Sequence, residues 1–268
     1  MLSQLVILVI AHLRGILRDR ILYGIFGVAA VMILLIPALS SFSMRQVQEL
    51  SITLSLSVVS AVMLVVTLLL GASSVWRDIE RRYTSSILTL PLERATFLLS
   101  KYCSVVIFLV VSAVVLGLSC SVVILLASAS YPSDIPINWG NISVALCGAT
   151  VKYMLLAAFA ILLSSLSTSF YLPFFGALSI YFCGSASQEV YEYVSGEFGR
   201  GMSPYSVNIV KAAYYLLPNF SAFDFQVQAV YSLPVSFPDL SLTGLYALVY
   251  IAILLYLAML SFERREMP

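Results

Sequence analysis

The sequence predicts an all-α integral membrane protein, with six transmembrane helices behind an N-terminal interfacial helix. Three observations predict it. Hydrophobic residues make up 61% of the 268 residues and charged residues 10%, and mean hydropathy is +1.01. A soluble domain is roughly 45–50% apolar and about 25% charged. This chain lacks the polar side chains to cover a globule of its size, so lipid must cover its apolar surface. Second, residues 21–44, 50–76, 102–133, 153–188 and 240–262 carry no Asp, Glu, Lys or Arg. Third, the basic residues gather on one side of these gaps. The net charge of +1 excludes the basic face a nucleic-acid binder needs.

The first element is the run Leu2–Ile10, apolar apart from Ser3 and Gln4, followed by Arg14, Arg18, Asp19 and Arg20. At helical spacing Leu5, Val9, Leu13 and Leu17 share a face, with Arg14 and Arg18 off it. This predicts an interfacial helix over 1–20, lying in the headgroup plane. A signal peptide is the alternative, but neither a basic leader nor a small-x-small cleavage site flanks the run.

Each charge-free gap except 153–188 holds one span of about 20 apolar residues. The longer gap contains Ser164, Ser165, Ser167, Thr168 and Ser169, then Pro173, which reads as a turn between two spans. The expected spans are about 21–42, 52–74, 103–128, 144–165, 168–186 and 241–262, all within one membrane domain, 1–268. Placing the N-terminus in the cytoplasm puts Arg14, Arg18, Arg20, Arg77, Arg81, Arg82, Arg94, Lys101, Arg264 and Arg265 inside. Arg45, Lys152, Arg200 and Lys211 are left outside or in a span. The positive-inside rule then places both termini in the cytoplasm, as six spans require.

The motifs of soluble catalysis are missing. The one histidine is His12, and there is no HExxH, no GxxxxGK[ST] phosphate loop and no GxSxG. Cys103, Cys120, Cys147 and Cys183 fall in or beside spans and read as small apolar packing residues. No catalytic residue and no metal ligand is expected. Lys152 is the one ionisable residue well inside a span. It reads either as a side chain snorkelling to the outer interface or as a contact for an anionic substrate in a central cavity.

The segment 75–102 is expected in the cytoplasm. It opens with i,i+4 pairs Arg77–Arg81 and Asp78–Arg82 and continues with an amphipathic Thr84–Leu90 stretch. Pro91 stops that stretch, and Lys101 marks the start of the third span. A short helix across the cytoplasmic ends of two long ones is a lever whose apolar residues can seat in a partner's groove. The other reading is an interfacial helix with no partner.

This segment resembles the coupling segment of permease subunits of the type-2 ATP-binding-cassette exporters (ABC-2 type). Glu80, Thr84, Leu88, Leu90, Pro91, Leu92, Arg94 and Lys101 stand in matching order. The chain departs from that pattern at Tyr83, Glu93 and Ser100. A second similarity lies in Leu217-Pro218-Asn219-Phe220 followed by Phe223-Asp224, ahead of the last span. A third is the whole arrangement, from interfacial helix to the basic tail Arg264-Arg265.

The resemblance implies a permease without its own ATPase site, paired as a homodimer in the cell inner membrane. A separate ATPase chain would carry ATP and Mg, so no cofactor is expected here. ATPase coupling would fall to Arg77, Glu80, Arg81, Thr84, Leu88, Pro91 and Arg94. Pro218, Asn219, Phe220 and Asp224 would belong to an external cap of re-entrant helices within the aromatic-rich segment 187–240, over a path that could include Lys152. That segment also suits an aromatic belt or a contact for an external partner. The alternative functions are a stand-alone secondary transporter or channel, and a membrane anchor or assembly factor for an external partner.

Overall fold

Asp19 sits between the first two helices and fixes where the second begins. Its Oδ1 accepts from the Ile21 amide at 3.1 Å, satisfying one of the free donors of the helix start. A computed structural model describes residues 2–43, 46–80, 94–130, 136–196 and 203–263. Every long element in these residues is a helix: α1 Leu2–Leu17, α2 Arg20–Ser41, α3 Val47–Glu80, α4 Arg94–Ser130, α5 Trp139–Leu166, α6 Tyr171–Ser195, α7 Pro204–Leu216, α8 Gln226–Val230 and α9 Phe237–Glu263. A 3₁₀ turn, Ser221–Phe223, precedes α8.

Among the described residues, five helices are long and apolar enough to cross a membrane: α2, Val47–Arg77 of α3, Arg94–Ala129 of α4, α5 and α9. The fifth expected span, 168–186, falls on α6, which starts later and runs on to Ser195. Its last turns carry Gln188, Glu189 and Glu192, so α6 is less apolar than the other five. One face of it, with Pro173, Ala177, Gly184 and Ser187, lies against protein. Gly176 faces Leu163, and Tyr181 stacks on Tyr153 with centroids 6.2 Å apart. Gly184 lies against Pro218 and Phe220, the latter followed by Phe223 against Gly148. Rising α6 numbers meet falling α5 numbers, so α6 runs antiparallel to α5.

The contacts distinguish two ends of one bundle. At one end stand α1, the C-terminus of α3, the N-terminus of α4 and the C-terminus of α9: His12 touches Phe97, and Arg94 touches Glu263. At the other end stand the N-termini of α3, α5 and α9, with the 217–233 segment folded over them. Both ends of the described chain therefore lie on the same side of the bundle.

The core is the crossing of α3 and α5. On α5, Leu155, Leu156, Ala157, Ala158, Ala160 and Ile161 are fully buried. A helix hydrophobic all round belongs in the middle of a bundle. A Cβ on Gly71 would stand 2.5 Å from the Ala160 methyl, so the backbones approach more closely than larger residues allow. Ser164 Oγ donates to the Ala72 carbonyl at 2.9 Å and accepts from the Trp76 amide at 3.2 Å, tying the same crossing. On α1, Val9 is buried and Leu13 and Ile16 pack on the core, while Val6, Ile7 and Ile10 are exposed. Leu17, expected on the buried face, is exposed.

Candidate functional site

Helix α5 begins at Trp139, five residues before the expected start, because Asn138 caps it. The Asn138 side chain accepts from the Asn141 amide at 3.3 Å. The longer helix moves Lys152 to its middle, about 20 Å from either end at 1.5 Å per residue. Snorkelling from there to a helix end is beyond the reach of the side chain. Lys152 is 8% exposed, and its Nζ stands 5.1 Å over the Tyr181 ring. The ring quadrupole partly offsets the loss of water around the ammonium.

Lys152 opens on a cavity of about 40 Å³. Its walls come from α3 (Leu56, Val59 and Ser60), α5 (Ala145, Leu146 and Ala149) and the cap (Phe223, Asp224 and Gln226). The fold thereby brings together two residues expected to be separate, Lys152 of the path and Asp224 of the cap, without an ion pair between them. Below them Ser60 and Tyr153 share a short hydroxyl–hydroxyl hydrogen bond.

The cap is held by clearances and neutral hydrogen bonds. A Cβ at Gly148 would stand 2.7 Å from both the Phe223 carbonyl and the Phe225 ring, and one at Gly184 would overlap the Pro218 carbonyl. Two bare positions, one on α5 and one on α6, therefore admit the 218–225 backbone. Phe220 and Phe223 are fully buried, and the Phe220 amide donates to the Gly184 carbonyl at 3.2 Å. Asn219 Oδ1 accepts from the Ser221 and Ala222 amides at 3.1 and 3.3 Å, its amide donates to Tyr246 Oη at 3.0 Å, and its Nδ2 donates to Gln188. Asp224 Oδ1 accepts from the Gln226 amide at 3.1 Å. Gln226 Nε2 reaches α3, donating to the Thr53 carbonyl at 3.1 Å and Ser57 Oγ at 3.2 Å. Asn141 Nδ2 donates to the Gln228 and Leu233 carbonyls at 2.9 and 2.7 Å. The cap thus reaches from the rim at Asn141 down to the Lys152 cavity.

At the opposite end, the expected coupling residues are only partly in view. Glu80 ends α3; Arg81, Thr84, Leu88 and Pro91 lie outside the described residues. Arg77 Nη1 is 3.1 Å from Asp19 Oδ2. Arg94 Nη1 donates to the Glu263 carbonyl at 2.9 Å and the Phe262 carbonyl at 3.5 Å, a cation at the negative end of α9. Phe262 beneath it is fully buried and stacks on Phe97 at 6.1 Å. Ser100 Oγ lies 3.3 Å from His12 Nδ1. Burial, and then the charge of Lys101, push His12 down to about 3.

Sequence reasoning missed Ser60, Asn141, Gly148, Gly184 and Gln226. The signal available was a glycine inside each of two otherwise apolar helices, which marks a close backbone approach without saying of what. No protein-family model matches the chain, and no curated protein matches it.

Proposed function

We propose that this chain is the membrane permease subunit of an ATP-driven exporter, working with a separate ATPase. The observation that carries the reading is α3. It is one unbroken helix that walls the Lys152 cavity at Ser60 and ends at Glu80, about 30 Å further on. A push at the Glu80 end is delivered to the cavity wall, because a packed helix moves as a body. Helices α3 and α4, at 34 and 37 residues, are about 51 and 56 Å long against a hydrocarbon core of roughly 30 Å, so both reach well past the lipid. The resemblance at Glu80, Thr84, Leu88, Pro91 and Arg94 assigns the segment between them to ATPase docking.

In this reading α6 is the fifth of six spans, and both termini are cytoplasmic in the inner membrane. Two permease copies face each other, and the ATPase carries ATP and Mg. ATPase closure tilts α3, the cap lifts at its glycine seats, and Lys152 meets an anionic group on the substrate. The test is mild-detergent purification of the tagged chain from its host, with mass spectrometry of what accompanies it. A co-purifying protein with a phosphate loop is the expected result. Recovery of a folded, stable chain alone would overturn the ATPase and favour a secondary transporter, for which a buried cation beside a carboxylate is the supporting feature.

A further inference from the structure

A second cavity, of about 190 Å³, lies between α3, α4 and α5. It shares Leu56, Val59 and Leu146 as walls with the Lys152 cavity. None of the described residues lining it is charged. An apolar space of about 150 Å³ already excludes water and takes up benzene. The cavity opens sideways to the bilayer: of its lining residues, Val114 and Leu118 of α4 are more than half exposed, and Trp139 at the start of α5 is 40% exposed.

Short side chains leave this space between two antiparallel helices. A Cβ on Gly117 would stand 2.5 Å from Leu146 Cδ2, so α4 and α5 meet closely there. One turn nearer the cap they present Ser121 and Ser143 to the cavity. Each hydroxyl folds back on its own helix, to the Gly117 carbonyl at 2.7 Å and to the Trp139 carbonyl at 2.8 Å. Side chains this small cannot fill the gap to the density of a packed interior. On α3, Ser51 Oγ makes the same kind of bond, to the Val47 carbonyl at 2.8 Å. Ser55, one turn on, does not. It lines the cavity, and its Oγ is buried with no hydrogen-bond partner among the described residues. Its carbonyl accepts from Cys120 Sγ at 3.7 Å, which ties this turn of α3 to α4. A buried hydroxyl left unpaired is costly, and a ligand acceptor removes that cost.

We infer that the cavity between α3, α4 and α5 binds one small, uncharged, lipid-soluble molecule, whose carbonyl oxygen accepts from Ser55 Oγ. The molecule enters from the bilayer between α4 and α5. The apolar walls select its body, and the unpaired hydroxyl selects the acceptor. A site built to hydrogen-bond a ligand rejects the analogue that lacks the group, because its own polar atom is then left unpaired. The space is near that of a benzene-binding cavity, far short of the two acyl chains of a phospholipid. The inference does not depend on what the bundle transports.

The test titrates the full chain in mild detergent with para-fluoroacetophenone and, separately, with para-fluoroethylbenzene, which has the same ring and no carbonyl. Fluorine NMR separates the bound signal from the micelle signal. One ketone per chain is expected, held about two- to tenfold more tightly than the hydrocarbon, the worth of one neutral hydrogen bond. Ser55→Ala should erase that preference and leave the hydrocarbon bound as before. This variant removes a hydroxyl that bonds nothing, so its melting temperature should not fall. Ser143→Phe, at an exposed position on the cavity wall, should reduce binding of both probes. Equal binding of the two probes, a preference that survives Ser55→Ala, or indifference of both to Ser143→Phe would overturn the site. Displacement of the ketone by an equal concentration of dioleoylphosphatidylcholine would make the occupant a lipid ester and overturn the small molecule.

Discussion

The two ends of this bundle are fastened by different means. At the cap end the recorded contacts that tie Pro218–Gln226 to the helices are neutral: amide and hydroxyl hydrogen bonds, two buried phenylalanines and two glycine seats. At the α1 end charged fastenings join the neutral ones: Arg77 to Asp19, and Arg94 to the carbonyl terminus of α9. Neutral hydrogen bonds inside a membrane protein are worth about 0.6 kcal/mol each and are indifferent to salt. Ion pairs near water are screened by it. The two ends should therefore answer differently to ionic strength.

The contrast can be broken or sharpened in four ways. Lys152→Met should have the largest effect and act in two directions. Removing a buried cation from mid-bundle should raise stability by up to about 2.5 kcal/mol, while substrate flux in reconstituted vesicles is lost. Unchanged flux would remove Lys152 from the path. Gly184→Leu should come next, because the added side chain meets backbone that cannot step aside. A cost of about 1–3 kcal/mol is expected in detergent unfolding, together with new labelling of a cysteine placed at Ala229, which is buried in the seated cap. An Ala229→Cys chain that stays unlabelled when Gly184→Leu is added would show the cap still seated.

The pH dependence should belong to the α1 end. The folded value of His12 lies below its ordinary value, so the unfolded chain binds the extra proton first. Its contribution is complete above about pH 6.5 and is lost as pH falls towards about 3. The slope is at most about 1.4 kcal/mol per unit before screening is allowed for. His12→Gln should flatten a melting-temperature series between pH 7 and pH 5, and an unaltered slope would assign the dependence elsewhere. The smallest effect is Arg94→Met, about 0.3–1 kcal/mol at low ionic strength. That cost should shrink as salt rises, whereas the Gly184→Leu cost should not. Parallel salt responses in the two variants would erase the distinction between the ends.

Much of the fold was legible because lipid excludes charge. The gaps 21–44, 50–76, 102–133 and 240–262 fall on α2, α3, α4 and α9. Where polar and protein-facing residues replaced lipid-facing ones the reading weakened. The boundary of α6 slipped because its apolar run is broken by Gly176 and Gly184, which face protein. Lys152 was read towards the outside because the Asn138 cap was not recognised, and five more residues of helix placed it at the centre. Pro218–Asp224 was noticed as a motif. Its seats on Gly148 and Gly184 and its ties to Thr53 and Tyr246 lie far away in sequence, and no local pattern announces such pairings. Arg94 was assigned wholly to coupling. Its contact with a carbonyl 169 residues later needed coordinates.

That last contact also sets an order of events in biosynthesis. Arg94 emerges from the ribosome long before Phe262 and Glu263, so this tie between α4 and α9 is among the late contacts to form. Only when α9 has been threaded into the bilayer can its terminal carbonyls close over the guanidinium, with Phe262 sliding onto Phe97. The final insertion step is therefore also the locking step. A nascent chain stalled before α9 would leave the Phe97 ring without the Phe262 ring that stacks on it.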